Sequence, residues 1–214
     1  MREKRLPGTA PQSPSSPGLL NCQVVWCQVP SRAMTTRELL PGEFAVLGLL
    51  RTQPMHGYEM ARYFDRDELS EVCPIEQSLL YTYVRNIEER GLVRWSEVRV
   101  GLRPPRKLYE LSDSGRTLVE SWLDAPVQRL REVRFEFLLK LYFLHPDDLA
   151  REQALLAKQI AICEDYRERL AVREAESRGF PNLVAASKRS GAEATLNWLQ
   201  EYAWKLERVG DQRA

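Results

Sequence analysis

Ser78-Leu79-Leu80-Tyr81-Thr82-Tyr83-Val84-Arg85-Asn86-Ile87-Glu88-Glu89-Arg90-Gly91-Leu92-Val93 is the stretch whose reading decides the fold. At ~100° per residue, Leu80, Tyr83, Val84 and Ile87 gather on one face of a helix over about 76–90. Ser78, Thr82, Arg85 and Glu89 fall opposite, Tyr81 and Asn86 lie on the flanks, and Leu79 points off the core face. One side is therefore core, and the other is small and polar with a single arginine. Gly91 stands where a C′ glycine ends a helix.

Downstream, residues 92–98 are rich in strand formers (Val93, Trp95, Val98), and residues 106–111 repeat the pattern with Leu108, Tyr109 and Leu111. A basic loop with Gly101, Pro104 and Pro105 joins them, which predicts a β-hairpin. Ser112 or Asp113 then caps a fourth helix running to about residue 123. Upstream, Phe44, Val46, Leu47, Leu49 and Leu50 cover most of a short helix from Glu43, so it is expected to be buried on several sides. Gln53-Pro54 ends it, because the residue before proline disfavours helix. A second helix begins after His56-Gly57 with Tyr58, Ala61 and Phe64 on one face, and a polar stretch follows over 65–74. Helix–helix–helix–hairpin–helix is the order of a winged helix-turn-helix, in which the third helix enters the DNA major groove and the hairpin reaches the backbone or minor groove.

The remainder reads as helical: one segment over 127–144, a long helix from Pro146-Asp147-Asp148 to about 177, and a last helix over about 192–209. Leu149, Leu156, Ile160, Cys163 and Leu170, and then Leu196, Leu199, Ala203 and Leu206, recur at near-heptad spacing. Trp198, Tyr202 and Trp204 give the last helix more apolar face than one seam needs, which points to a subunit interface. The predicted fold class is mainly α with a small β-hairpin wing. Residues 38–124 form a winged helix-turn-helix domain and 125–214 a helical C-terminal dimerisation and effector domain. Residues 1–35 carry Pro7, Pro11, Pro14, Pro17 and Pro30 and are expected to be disordered, or a mis-assigned extension with Met34 as the true start. They make no convincing signal peptide, the apolar part near Val24–Val29 being short and interrupted by Gln28.

Of 214 residues, 31 are Lys or Arg and 30 Asp or Glu, a net charge of +1 that at first sight argues against a nucleic-acid partner. Split by segment, the charge is not even. Residues 85–107 hold seven basic groups (Arg85, Arg90, Arg94, Arg99, Arg103, Arg106, Lys107) against Glu88, Glu89 and Glu97, a net of +4, while the rest of 41–124 carries −7. The molecule is polarised, with its positive charge on the third helix and the wing. The longest apolar run, 135–144, is broken by Glu136 and Lys140 and is far short of the ~18–20 residues a membrane span needs. Four cysteines do not make a disulfide framework, so a reducing cytoplasm is expected. Cys73 and Cys163 read as buried small hydrophobes.

Candidate DNA contacts follow from these faces: Arg85 for a base edge or phosphate, Ser78, Tyr81 and Thr82 for phosphates or sugars, and Arg103, Arg106 and Lys107 for backbone or minor groove. His56 and His145 lack ligand-spaced partners, so no metal, cofactor or catalytic residue is expected, and His56 reads as a structural turn residue. Trp122, Trp198 and Trp204 read first as packing. They are also candidates for stacking a flat aromatic effector where the two domains meet. A helical protein-interaction adaptor using a winged-helix module is the rival reading, favoured by the −7 remainder.

These residues resemble a known family. Pro54-Met55-His56-Gly57-Tyr58-Glu59-Met60 is similar to the "P-x-H-G-Y-E-I" opening of the second helix in PadR-type transcriptional regulators. Ser78-Leu79-Leu80-Tyr81, followed by Ile87-Glu88-Glu89-Arg90-Gly91-Leu92-Val93, resembles their recognition helix and its exit. Arg106-Lys107-Leu108-Tyr109-Glu110-Leu111-Ser112-Asp113-Ser114-Gly115 resembles the second wing strand and the entry to the fourth helix. The segment from Pro126 through Arg131-Glu132-Val133-Arg134 to Lys140-Leu141 looks like the larger C-terminal domain of one branch. Where family members often have Tyr-Pro-Ala, this chain has Tyr81-Thr82-Tyr83. The resemblance implies a homodimeric repressor on the nucleoid that binds a pseudo-palindromic operator in double-stranded DNA, with release by a small aromatic effector in some members.

Overall fold

The computed structural model describes residues 39–98, 105–145 and 148–213. The expectations for residues 1–35 and for Arg103 lie outside the described residues. The elements are α1 (Pro41–Thr52), β1 (Met55–His56), α2 (Gly57–Arg66), α3 (Leu69–Val72), α4 (Gln77–Glu89), β2 (Val93–Val98), β3 (Arg106–Leu111), α5 (Asp113–Asp124), α6 (Leu130–Glu132), a π-helical turn (Val133–Phe137), α7 (Leu138–Leu144), α8 (Leu149–Glu176) and α9 (Phe180–Arg213). This is the mainly helical winged fold that the sequence predicts.

The near-continuous apolar run of α1 is explained by its central place. It packs on α4, α5 and α7 as well as β3, and Ala45, Val46, Leu47, Leu49 and Leu50 are all buried. Glu43 at its first turn is fully buried without a cation among the described residues. Its carboxylate accepts the Leu40 N–H (2.8 Å) and the Asn86 amide (2.8 Å), so it caps α1 and ties it to α4.

The hairpin is part of a three-stranded antiparallel sheet ordered β1-β3-β2. Met55 and His56 pair with Tyr109 and Leu108 on the far edge of β3. Two residues cannot display a period, which is why the sequence showed two strands only. The sheet is closed at the base of the wing. Gly91 (φ 68°) turns the chain out of α4, Ser112 N–H donates to the Leu92 carbonyl (3.0 Å) and Ser112 Oγ to the Gly91 carbonyl (2.7 Å). The same Oγ accepts the Gly115 N–H (3.0 Å), making Ser112 the N-cap of α5. A Cβ on Gly115 would lie 1.9 Å from the Leu92 carbonyl oxygen, so this approach of helix to strand needs glycine.

Three sequence expectations change. The polar stretch 65–74 contains the short helix α3, because Leu69 is fully buried within it. The segment 127–144 is not one helix. Its start is held out of helix by Gln159, a buried side chain that accepts the Val127 N–H (2.8 Å) and donates to the Val127 carbonyl (3.1 Å), and a π turn then re-aims the chain into α7. The last helix begins at Phe180, well before residue 192. From residue 180 to 194 it shows no apolar stripe because only Ala185 and Ala192 are buried there. Arg189 ties it to α8 through Glu174 (2.6 Å).

The winged part and the long α8–α9 hairpin are joined by charge and by packing. Arg51 meets Glu120 (2.6 Å), and Arg151 at the start of α8 meets both Glu120 and Asp124 (2.5 Å each). The Glu120 carboxyl is pushed up by partial burial, but the two guanidinium groups outweigh this and hold it below its ordinary range. The hydrogen bond from Arg151 does the same to Asp124 against a smaller burial effect.

Gly115→Ala is expected to cost about 1–3 kcal/mol by overpacking against backbone that has no rotamer to give. Urea unfolding measures it, and wild-type stability in that variant would mean that α5 can slide off β2. Because the folded carboxyls of Glu120 and Asp124 are depressed, their contribution is present above the ordinary carboxylate range and lost as pH falls through it. Arg151→Met should therefore make the acid limb of the stability–pH curve shallower, and an unchanged limb would remove this network from the acid response.

Candidate nucleic-acid interface

The α4 helix buries Leu80, Val84 and Ile87 and exposes Ser78, Thr82 and Arg85, as its spacing predicts. Tyr81 and Leu79 are also exposed, along with Gln77 in the first turn. Thr82 Oγ1 donates back to the Ser78 carbonyl (3.1 Å), which leaves its lone pairs and methyl outward. Arg85 has no ion-pair partner among the described residues. This face can therefore meet a polar partner without breaking internal bonds.

Beside it runs a ridge of Tyr81, Lys107 and Tyr109, with a cleft on each side. One, of about 500 Å³, is lined by Arg85, Glu88 and Glu89 of α4. The other, of about 540 Å³, is lined by His56, Gly57 and Tyr58 at the start of α2 and by Arg106 of β3. The first balances two carboxylates against Arg85 and Lys107, and the second is basic. A Cβ on Gly57 would come within 2.8 Å of the Tyr81 ring, so the glycine of His56-Gly57-Tyr58 lets that ring lie against the start of α2.

The ridge is held from the α4 side. Glu88 Oε1 accepts the Trp95 indole N–H (2.6 Å) and the Lys107 ammonium (3.2 Å), and Lys107 Nζ sits 4.0 Å from the centre of the Trp95 ring. The Lys107 carbonyl accepts from His56 Nδ1 (2.8 Å), which sets the proton on that nitrogen. Burial, with Glu88 and Tyr81 adding to it, pushes the Tyr109 hydroxyl up to about 12. On the basic side the Tyr58 ring stacks on His56 (5.6 Å between centroids), and the Arg106 guanidinium lies 5.2 Å over Tyr58. Lys107 lines both clefts and Arg106 the second alone, with the Lys107 ammonium committed to Glu88 of α4 and the Arg106 guanidinium to the Tyr58 ring of α2.

The structure thus brings Ser78, Tyr81, Thr82, Arg85 and Arg106 to one surface and turns Lys107 onto α4. The sequence reading grouped Tyr58 with Ala61 and Phe64; instead Tyr58 is exposed and Met60 joins Phe64 in the core. Reading His56 as a turn residue catches its place before α2 but not its hydrogen bond to β3. Glu88 and Trp95 were missed as a pair, since nothing local announces a contact between a helix and the strand that follows it. Trp122, Trp198 and Trp204 have no aromatic partner in common. Trp122 stacks on Phe44 (4.8 Å), donates to Glu136 (2.7 Å) and lies under the buried Lys140 ammonium (5.0 Å). Trp198 stacks on Tyr202 (6.0 Å) and meets the edge of Phe137, and Trp204 is exposed beside Arg208.

Among the described residues, no helix is long and apolar enough to cross a membrane, and no group of three or more His, Cys, Asp or Glu is arranged for a metal ion. Cys73 and Cys163 are buried free thiols, and burial pushes Cys73 up to about 11.

A helix-turn-helix of α2 through α4, followed by an antiparallel hairpin folded against α4, defines a winged helix-turn-helix protein. Residues 46–121 match the model of the transcriptional regulator PadR-like family. The probable transcriptional regulator Rv1176c of Mycobacterium tuberculosis is 34% identical over 188 residues, which cover 76% of this chain and 96% of that protein. The chain belongs to the PadR-like family, whose members are transcriptional regulators and not enzymes. The negative transcriptional regulator PadR of Bacillus subtilis is 30% identical over 112 residues, covering 52% of this chain and 60% of that relative. The crystal structure of B. subtilis PadR in complex with operator DNA is 22% identical and covers 79% of this chain and 99% of that one, with a TM-score of 0.42.

Glu88→Ala removes the acceptor of both Trp95 and Lys107. It is expected to cost about 1–3 kcal/mol, mainly from the half-buried indole N–H left unpaired. Chemical denaturation would measure this, and a neutral result would mean that water takes over both donors.

Proposed function

We propose that this protein regulates transcription by binding operator DNA, with residues 38–124 as the DNA-binding domain and 125–214 as the dimerisation and effector domain. One observation carries the reading: the exposed Ser78, Thr82 and Arg85 face of α4 stands beside a basic cleft in a segment that is otherwise acidic. A recognition helix of this kind enters the major groove, where a bidentate arginine contact discriminates between bases. Net charge near zero limits non-specific binding and leaves contacts concentrated on one surface.

The protein acts as a homodimer on a pseudo-palindromic operator. Support comes from apolar surface left uncovered on the long helices, at Val172, Phe180, Leu183 and Trp204. The name of the B. subtilis relative as a negative regulator supports repression. A small aromatic effector releases the DNA. The half-exposed Trp198 stacked on Tyr202 supports such a ligand, which acts only through unequal affinity for the two forms.

A mobility-shift assay with the DNA flanking its own gene tests this reading. A shift is expected, and Arg85→Ala should weaken the operator complex by about 1–3 kcal/mol while leaving unrelated DNA less affected. The absence of any shift at low salt would favour the protein-interaction adaptor.

A further inference from the structure

Resting on the DNA-binding reading, we propose that the cleft between the start of α2 and β3 seats a DNA phosphodiester on Arg106, with Tyr58 as its positioning residue, and that the adjacent Lys107 is a structural clasp and not a phosphate contact. Charge alone does not separate the two basic neighbours, and both are exposed at the start of β3.

Their surroundings separate them. Lys107 Nζ is already neutralised by Glu88 at 3.2 Å and covered on one side by the Trp95 ring at 4.0 Å. The Lys107 backbone is held as well, its carbonyl taken by His56. Turning this ammonium to a phosphate would strip Glu88 of its cation and leave its carboxylate beside Glu89 in the cleft on the α4 side of the ridge. Arg106 has no carboxylate partner among the described residues. Its guanidinium lies over the Tyr58 ring, which is backed in turn by His56, so the plane is held without its donors being used. Glu59 is the nearest acidic group on α2. One of its oxygens is turned onto the His56 N–H (2.7 Å), and the other accepts a long bond from the Tyr58 hydroxyl (3.3 Å). Tyr81 closes the cleft against Gly57, so the seat adjoins the exposed face of α4 and one DNA strand can touch both.

Salt dependence tests the assignment, because removing a cation that neutralises one phosphate flattens the slope of log affinity against log salt by about one unit. The full chain is titrated by fluorescence anisotropy with a duplex from its own promoter region and one of unrelated sequence. Arg106→Met is expected to flatten the slope by about one unit on both duplexes, and Arg106→Lys to restore it. Lys107→Met should leave the slope unchanged, and any weakening it causes should match that of Glu88→Gln, since both open the same clasp. Tyr58→Phe keeps the ring and should bind as wild type, whereas Tyr58→Ala should weaken both duplexes by about three- to tenfold. A flattened slope in Lys107→Met, an unchanged slope in Arg106→Met or a weakened Tyr58→Phe would overturn the assignment while the DNA-binding reading stands. Failure of the wild-type chain to bind either duplex at low salt would overturn both.

Discussion

The winged part depends on one closure. The chain leaves α4 at Gly91, runs out along β2, returns along β3 and must meet α5 where it started. Ser112 makes that junction, donating to the carbonyls on either side of the Gly91–Leu92 peptide and capping α5. Gly115 allows α5 to press on the Leu92 carbonyl. With both ends of the hairpin fixed within a few residues, the strands share a register from Val93↔Leu111 to Val98↔Arg106. The angle of the wing to α4 is then set by side chains along it, Glu88 with Trp95 and Lys107.

That closure also decides how charge is distributed. Positive groups close in sequence do not all remain available. Arg94 is engaged with Glu110 across the sheet, and Lys107 with Glu88 between β3 and α4. Among the described residues, what reaches solvent beside the small polar face of α4 is chiefly Arg85 and Arg106. Among the described residues of this formally +4 segment, Arg94 and Lys107 are thus already committed. Exposed ion pairs are individually worth about 0–1 kcal/mol, so the role of these pairs is geometric more than energetic.

The link to the long helices is tighter than a flexible linker would give. Gln159 of α8 takes both backbone groups of Val127, and Lys140 of α7 donates to the Ala125 carbonyl (2.7 Å) although burial holds its ammonium below the ordinary lysine range. Arg151 spans from α8 to two carboxylates of α5. A rotation of α8 therefore carries the winged part with it. At the other end of that contact, Tyr202 of α9 donates to the buried Glu152, which also meets His145 (3.3 Å), so the start of α8 is bonded to α9 as well.

The sequence by itself determined the order and type of the main elements, because each carries a period of its own. The α4 face, the strand-forming runs 93–98 and 106–111, the Gly91 stop and the Ser112 cap are all set within a few residues of themselves. It also determined the exposed set Ser78, Thr82 and Arg85, since a helix with Leu80, Val84 and Ile87 inward can only turn those residues outward. It did not determine β1, which is too short to show alternation, or the start of α9 over 180–194, whose buried residues are alanines. Nor did it determine the break at Val127, made by a glutamine far along the chain. Only the tertiary structure decided which basic groups are already paired. Whether Lys107 faces solvent or Glu88 depends on where β3 crosses α4, and whether Tyr58 is core or platform depends on Arg106 arriving over it. Such contacts join residues distant in sequence, and no local pattern encodes the distance between them.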